Sequence, residues 1–182
     1  MDYNNYFKAY TKSISNLLDK VNTLSINKTV DLIKKTSDNG KKVYIVGNGG
    51  SSSIASHVSV DFAKVARIKS STFNNSNLLT CFSNDYGYEN WVTESIKAYC
   101  DQGDLIILIS SSGSSKNILN AAKYCKKNRI NCITFSGFDE NNELSKLGNV
   151  NFHIKSEDYN FIEMAHHIIL VSLVDIFAKK VF

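Results

Sequence analysis

Two clusters of small polar residues stand out, each just after an apolar run. Gly47-Asn48-Gly49-Gly50-Ser51 follows VYIV at 43–46. Glycines let a backbone approach an anion closely, and a helix starting there offers its first free N–H groups. The loop is neither GxGxxG nor a Walker A sequence, because the Lys-Ser/Thr end is missing, so nucleotide binding has no support. The alternative is a tight strand-to-helix turn. Ser110-Ser111-Ser112-Gly113-Ser114-Ser115 follows LIILI at 105–109. Several hydroxyls beside helix N–H groups make a neutral cradle for phosphate. Serine also caps helices well, but five serines around one glycine exceed what capping needs. Two such loops at neighbouring strand ends reinforce each other.

A second set of residues is titratable. His57 and Asp61 stand four apart, so on a helix they share a face. Glu163, His166 and His167 recur at three- and four-residue steps near the C-terminus. Such sets serve as divalent-metal sites, as general acid/base pairs, or as solvated polar surface. Spacing alone favours the surface reading for each pair.

The elements that must position these residues follow from apolar periodicity. Tyr3, Tyr6, Phe7, Tyr10, Ile14, Leu17, Leu18 and Val21 form one helical stripe, and a second helix covers about 26–37, stopped at Asp38-Asn39-Gly40. Strands are predicted at 43–46, at LLTCF (78–82), at 105–109, at 131–135 and at 150–154, each followed by a helical stretch. Strands apolar on both faces and alternating with helices imply a parallel sheet covered on two sides. The expected architecture is one α/β domain spanning 1–182. Two helices lead it (1–40), before a flavodoxin-like doubly wound five-stranded parallel sheet and a C-terminal helix (41–182). Ligands of such sheets sit beyond the carboxyl ends of the strands, where the Gly, Ser, Asn and Asp clusters fall. The last helix is apolar nearly all round, from Phe161 to Phe177, and should be buried on most sides. That helix and the aromatic stripe of the first point to a homo-oligomer.

Composition is that of an ordinary globular chain: 182 residues, 43% hydrophobic, 21% charged, without a single proline. A net charge of +4 is too small and too scattered for a nucleic-acid surface. No apolar run reaches bilayer length and the N-terminus has no signal-peptide pattern, so no membrane association is expected. Cys81, Cys100, Cys125 and Cys132 show no paired spacing, the pattern of a reduced, cytoplasmic protein.

Taken in order, VYIVGNGGSSSIASHVSVDFAK, CFSNDYGYEN, LIILISSSGSSKNI and EMAHH resemble a sugar isomerase (SIS) domain, nearest in likeness to the phosphoheptose isomerases, which act on sedoheptulose 7-phosphate. The resemblance implies a cytoplasmic aldose–ketose isomerase working through an enediol in heptose biosynthesis for lipopolysaccharide or capsule, commonly as a tetramer. It implies substrate contacts at Asn48, Gly49, Gly50 and Ser51, sugar-hydroxyl contacts at Asn84 and Asp85, and phosphate held by Ser110, Ser111, Ser112 and Ser115. His57 matches a zinc ligand of the family. Asp61 stands where well-known members have a glutamate that is ligand and base, and Glu163 where they have a glutamine ligand. Val171 stands where they have a second histidine. Valine donates nothing, so the metal set shrinks to His57, Asp61 and Glu163 at most. The expectation is therefore that no cofactor is required, with only weak divalent-metal (zinc) binding. Asp61 is then the catalytic base and Glu163 the second acid/base. The rival reading is a non-catalytic SIS module holding a sugar phosphate or a protein such as a replication initiator. A transcriptional regulator is disfavoured, because the leading 40 residues carry no basic recognition helix.

Overall fold

The structure is a computed structural model, and it describes residues 2–179. Its elements are α1 (Tyr3–Leu18), α2 (Thr23–Asp38), β1 (Val43–Gly47), α3 (Gly49–Lys64), β2 (Ser70–Ser71), α4 (Ser76–Tyr86), α5 (Trp91–Tyr99), β3 (Leu105–Ile109), α6 (Lys116–Lys127), β4 (Asn131–Gly137), a 3₁₀ turn (Leu144–Lys146), β5 (Val150–Ile154) and α7 (Tyr159–Phe177). The end of the chain, to which the last helix was expected to run, lies outside the described residues.

The strands form one parallel sheet in the order β2-β1-β3-β4-β5. This is the expected doubly wound architecture, and its strands alternate between two cores. Val43, Ile45, Leu105, Ile107, Ile109, Ile133 and Phe135 point to the side covered by α2, α3 and α7. Tyr44, Val46, Ile106, Leu108 and Cys132 point to the side covered by α5 and α6. A carboxylate pins the two central strands at their starts: Asp104, 1% exposed, accepts from the Lys42 and Asp101 backbone N–H groups, both at 2.9 Å.

One predicted strand is not a strand. LLTCF lies within α4, where Asn75 caps the first turn by accepting from Asn77 N and Leu78 N. Leu78, Leu79 and Phe82 then pack on the second core from one helical face. The second strand is instead the two-residue β2 at one edge of the sheet, whose Ser70 and Ser71 carry no apolar signal.

The outer helices also differ from expectation. α7 buries Ile162, Ala165, His166, Ile169, Leu170, Leu173 and Val174 on one face, yet leaves Met164, Ile168 and Ile176 exposed, so within one chain it is half covered rather than enclosed. Among the described residues it is also the one helix long and apolar enough to cross a bilayer, against the expectation that no run has that length, although its buried face makes it a core helix. α1 buries no residue fully, and Tyr3, Tyr6 and Phe7 stand open.

Candidate active site

The two loops singled out by composition meet. β1 ends in Gly47 and turns into α3, while its neighbour β3 ends in Ile109 and turns through the serines into α6. Between them lies a cavity of about 140 Å3 lined by Asn48, Ser51, Ile109, Ser110, Ser111, Ser112, Ser115, Tyr159 and Glu163. Gly113 takes φ +64° to make the serine turn, a conformation that side-chain-bearing residues rarely adopt.

The helix starts at this cavity differ from most others in the molecule. α1, α2, α4 and α7 are capped by the side chains of Asp2, Asn22, Asn75 and Asp158. α3 and α6 begin at Asn48 and Ser115, both good capping types, yet neither side chain makes a cap bond. Ser115 Oγ instead accepts from Ser110 Oγ at 3.0 Å, and Asn48 is bonded across to α6. Both helices therefore offer uncapped N–H groups, with the positive ends of their dipoles, beside the cavity. Ser111 Oγ is buried there without a protein partner, and Ser112 Oγ accepts from Ser114 N and Ser114 Oγ. The lining contains no lysine or arginine, so an anion would be met by neutral donors.

Glu163 is the one carboxylate in the lining. It sits at the start of α7, so close to the first turn of α3 that a Cβ on Gly50 would collide with its carboxylate. Burial pushes the Glu163 carboxyl above its usual range. A raised proton affinity suits a group that both takes up and returns a proton.

His57 and Asp61 lie farther along the same α3–α7 seam. His57 Nε2 is 3.2 Å from Asp61 Oδ2, and His57 Nδ1 is 2.8 Å from His167 Nε2, the two rings meeting edge-on. Asp61 accepting from Nε2–H leaves Nδ1 as the acceptor for the His167 N–H. Burial and the neighbouring His57 push the His167 imidazole down. His166 faces the other way, fully buried, with Nε2 3.1 Å from the Ser136 carbonyl oxygen and its ring edge-on to Phe135.

The donors of the shrunken metal set do not converge. His57 engages both ring nitrogens, Asp61 is paired with it, and Glu163 lies in the serine cavity on Gly50. Among the described residues no group of three or more His, Cys, Asp or Glu is gathered to hold a metal ion. These side chains, as placed, do not fit a zinc site.

The expected phosphate serines thus come together with Asn48, Ser51 and Glu163, and Gly49 and Gly50 form the first turn of α3 beside them. Asn84 and Asp85 do not join them. They were expected after a strand but occupy the last turn of α4, exposed and bonded to each other at 2.9 Å. Three residues of the neighbourhood were not foreseen, Tyr159 in the lining and Asn117 and Tyr88 on Asn48, nor was the contact of His167, a candidate by spacing, with His57. Asn117 and Tyr88 lie within the quoted SKN and NDYGYE segments, but bonds spanning 69 and 40 residues leave no local spacing to read.

Comparison with known proteins identifies the family. Residues 5–137, well over half of the chain, match the SIS domain family. A phosphoheptose isomerase of Thermodesulfovibrio yellowstonii is 32% identical over 87% of this chain and 83% of its own. Phosphoheptose isomerase 2 of Campylobacter jejuni is 39% identical over 63% of this chain and 60% of its own. The solved phosphoheptose isomerase of Neisseria gonorrhoeae superposes with a TM-score of 0.86 over 96% of this chain and 99% of that one, at 20% identity, a likeness of fold. The chain belongs to the SIS domain family.

Proposed function

We propose that this protein is a cytoplasmic phosphosugar aldose–ketose isomerase that converts sedoheptulose 7-phosphate to D-glycero-D-manno-heptose 7-phosphate for heptose-containing glycans. The observation that carries the reading is the cavity itself: serine hydroxyls and two uncapped helix N-termini beside a single half-buried carboxylate. Ser110, Ser111, Ser112, Ser115 and the start of α3 hold the phosphate, fixing the sugar relative to the acid/base group. Isomerisation removes a proton from C1 of the ketose, forms the enediol, and returns a proton to C2 while the C1 hydroxyl becomes the aldehyde. Glu163, the one carboxylate in the cavity lining and one whose burial raises its proton affinity, takes and returns that proton in this reading, in place of Asp61, the base expected from the resemblance. Asp61 is the second carboxylate, reached along the α3–α7 seam by a chain extending away from the phosphate, with its charge oriented by His57. A metal-free route requires only hydrogen-bond donors at the carbonyl oxygen to stabilise the enediolate.

A homo-oligomer, a tetramer by likeness to the family, belongs to the same proposal. Tyr10 packs on Phe161 at 4.8 Å, so the open residues of α1 and α7 flank one continuous surface. The cavity of about 140 Å3 is smaller than the ~300–1,000 Å3 usual for a ligand pocket, as expected if a second copy completes it. Asn84 and Asp85, exposed on α4, would then meet sugar hydroxyls from such an assembled face.

The test is to incubate pure protein with sedoheptulose 7-phosphate and follow the anomeric region by NMR. Appearance of the aldose supports the reading. Tight binding without turnover would assign the chain to the non-catalytic SIS modules, and neither binding nor turnover would remove the proposal. Light scattering at micromolar concentration checks the assembly, and a monomeric mass would defeat it.

A further inference from the structure

Asn48 is an N-cap residue that does not cap. Its side-chain amide turns away from α3 and pairs reciprocally with Asn117 in the first turn of α6: Asn48 Nδ2 donates to Asn117 Oδ1 at 3.0 Å, and Asn117 Nδ2 donates to Asn48 Oδ1 at 2.9 Å. Asn117 is only 2% exposed, so the pair is a built feature that ties the two helix starts of the cavity together. A third group joins from the loop between α4 and α5, where the Tyr88 hydroxyl donates to the same Asn48 Oδ1 at 3.2 Å.

An amide oxygen accepts two hydrogen bonds, and Asn48 Oδ1 has both, from Asn117 and Tyr88. An amide nitrogen donates two, and Asn48 Nδ2 has used one. The second N–H is the only uncommitted polar group on the side chain, and Asn48 lines the serine cavity. The cavity has no cationic lining, so an anion there depends on each neutral donor being correctly aimed. An asparagine free to rotate could instead turn its oxygen toward the ligand and repel it.

We propose that Asn117 and Tyr88 are positioning residues that lock the Asn48 amide so that it meets the ligand as a donor only, making this wall of the cavity select a phosphoryl oxygen. The inference rests on the phosphosugar reading for its ligand class and adds the two residues that aim one of its donors. Tyr88, roughly half exposed, is the accessible half of the lock, and its replacement by phenylalanine removes one oxygen without opening the core.

The test is a double-mutant cycle on affinity for inorganic phosphate, measured by calorimetry or by 31P NMR titration in wild type, Tyr88→Phe, Asn48→Ala and the double variant. Tyr88→Phe should bind phosphate about threefold to tenfold more weakly, the range of one neutral hydrogen bond. The same change in the Asn48→Ala background should cost nothing further, because Tyr88 acts through Asn48. Unaltered affinity in Tyr88→Phe would overturn the proposal. So would an equal loss in both backgrounds, which would place Tyr88 on the ligand itself. A wild type that binds inorganic phosphate and obeys the cycle but neither binds nor converts sedoheptulose 7-phosphate would sink the substrate assignment while leaving the lock standing. A wild type that binds no phosphate would remove both.

Discussion

His166 makes acid destabilisation of this fold calculable. The ring is fully buried between α7 and β4, donates from Nε2 to the Ser136 carbonyl, and has no partner at Nδ1. Burial pushes its pKa from 6.5 down to about 4. An unfolded chain takes up a proton at this residue near pH 6.5, while the native chain declines it until about pH 4. Between those values the unfolded state binds more protons, so stability falls as pH falls. The whole contribution is retained above about pH 7. At ~1.4 kcal/mol per unit, the loss across the window is on the order of 3 kcal/mol, a large share of the 5–15 kcal/mol typical of a domain. Urea denaturation of wild type and His166→Gln at pH 7.5, 5.5 and 4.5 isolates the effect, since the carboxylates titrate alike in both. Whatever stability the glutamine variant lacks at pH 7.5, wild type should lose about 2–3 kcal/mol more than the variant by pH 4.5. Parallel losses in the two proteins would refute the reasoning.

Three further outcomes follow from the cavity. Replacing Ser112 and Ser115 together by alanine should weaken phosphosugar binding tenfold or more, about 1.4 kcal/mol, with calorimetry as the check. Gly50→Ala would gain up to ~1 kcal/mol from helix propensity alone, but its Cβ collides with the Glu163 carboxylate. The melting temperature should therefore not rise, and kcat should fall at least tenfold; a more stable, fully active variant would show that Glu163 is not held there. Because His57, Asp61 and Glu163 do not converge, isomerase activity should survive EDTA, and stoichiometric zinc lost together with activity would prove this wrong.

The central strands were legible because burial on both faces leaves a signal that needs no context: LIILI and VYIV are apolar at every position. The anion loops were legible because Gly and Ser clusters sit where those strands end. LLTCF misled because a short apolar run fits strand and helix equally, and the helix is decided by Asn75 capping it from outside the run. β2 was invisible, since its two residues, Ser70 and Ser71, bury no apolar side chain. Within the site, serines contiguous in sequence were found together, whereas pairings made by the fold were not. His57 meets His167 across 110 residues, and no periodicity encodes that. Spacing alone does not separate His166 from His167, although one lies in the core and the other on the seam.

The most direct test of the account is the isomerisation of sedoheptulose 7-phosphate run in D2O, comparing wild type with Glu163→Gln by NMR. Proton transfer through an enediol predicts that wild type forms the aldose with solvent deuterium at C2. The glutamine variant should be slower by about a hundredfold or more, the usual contribution of a general acid/base, while still binding the phosphosugar. No aldose and no deuterium exchange with wild type at stoichiometric concentration, or undiminished exchange in Glu163→Gln, would contradict it.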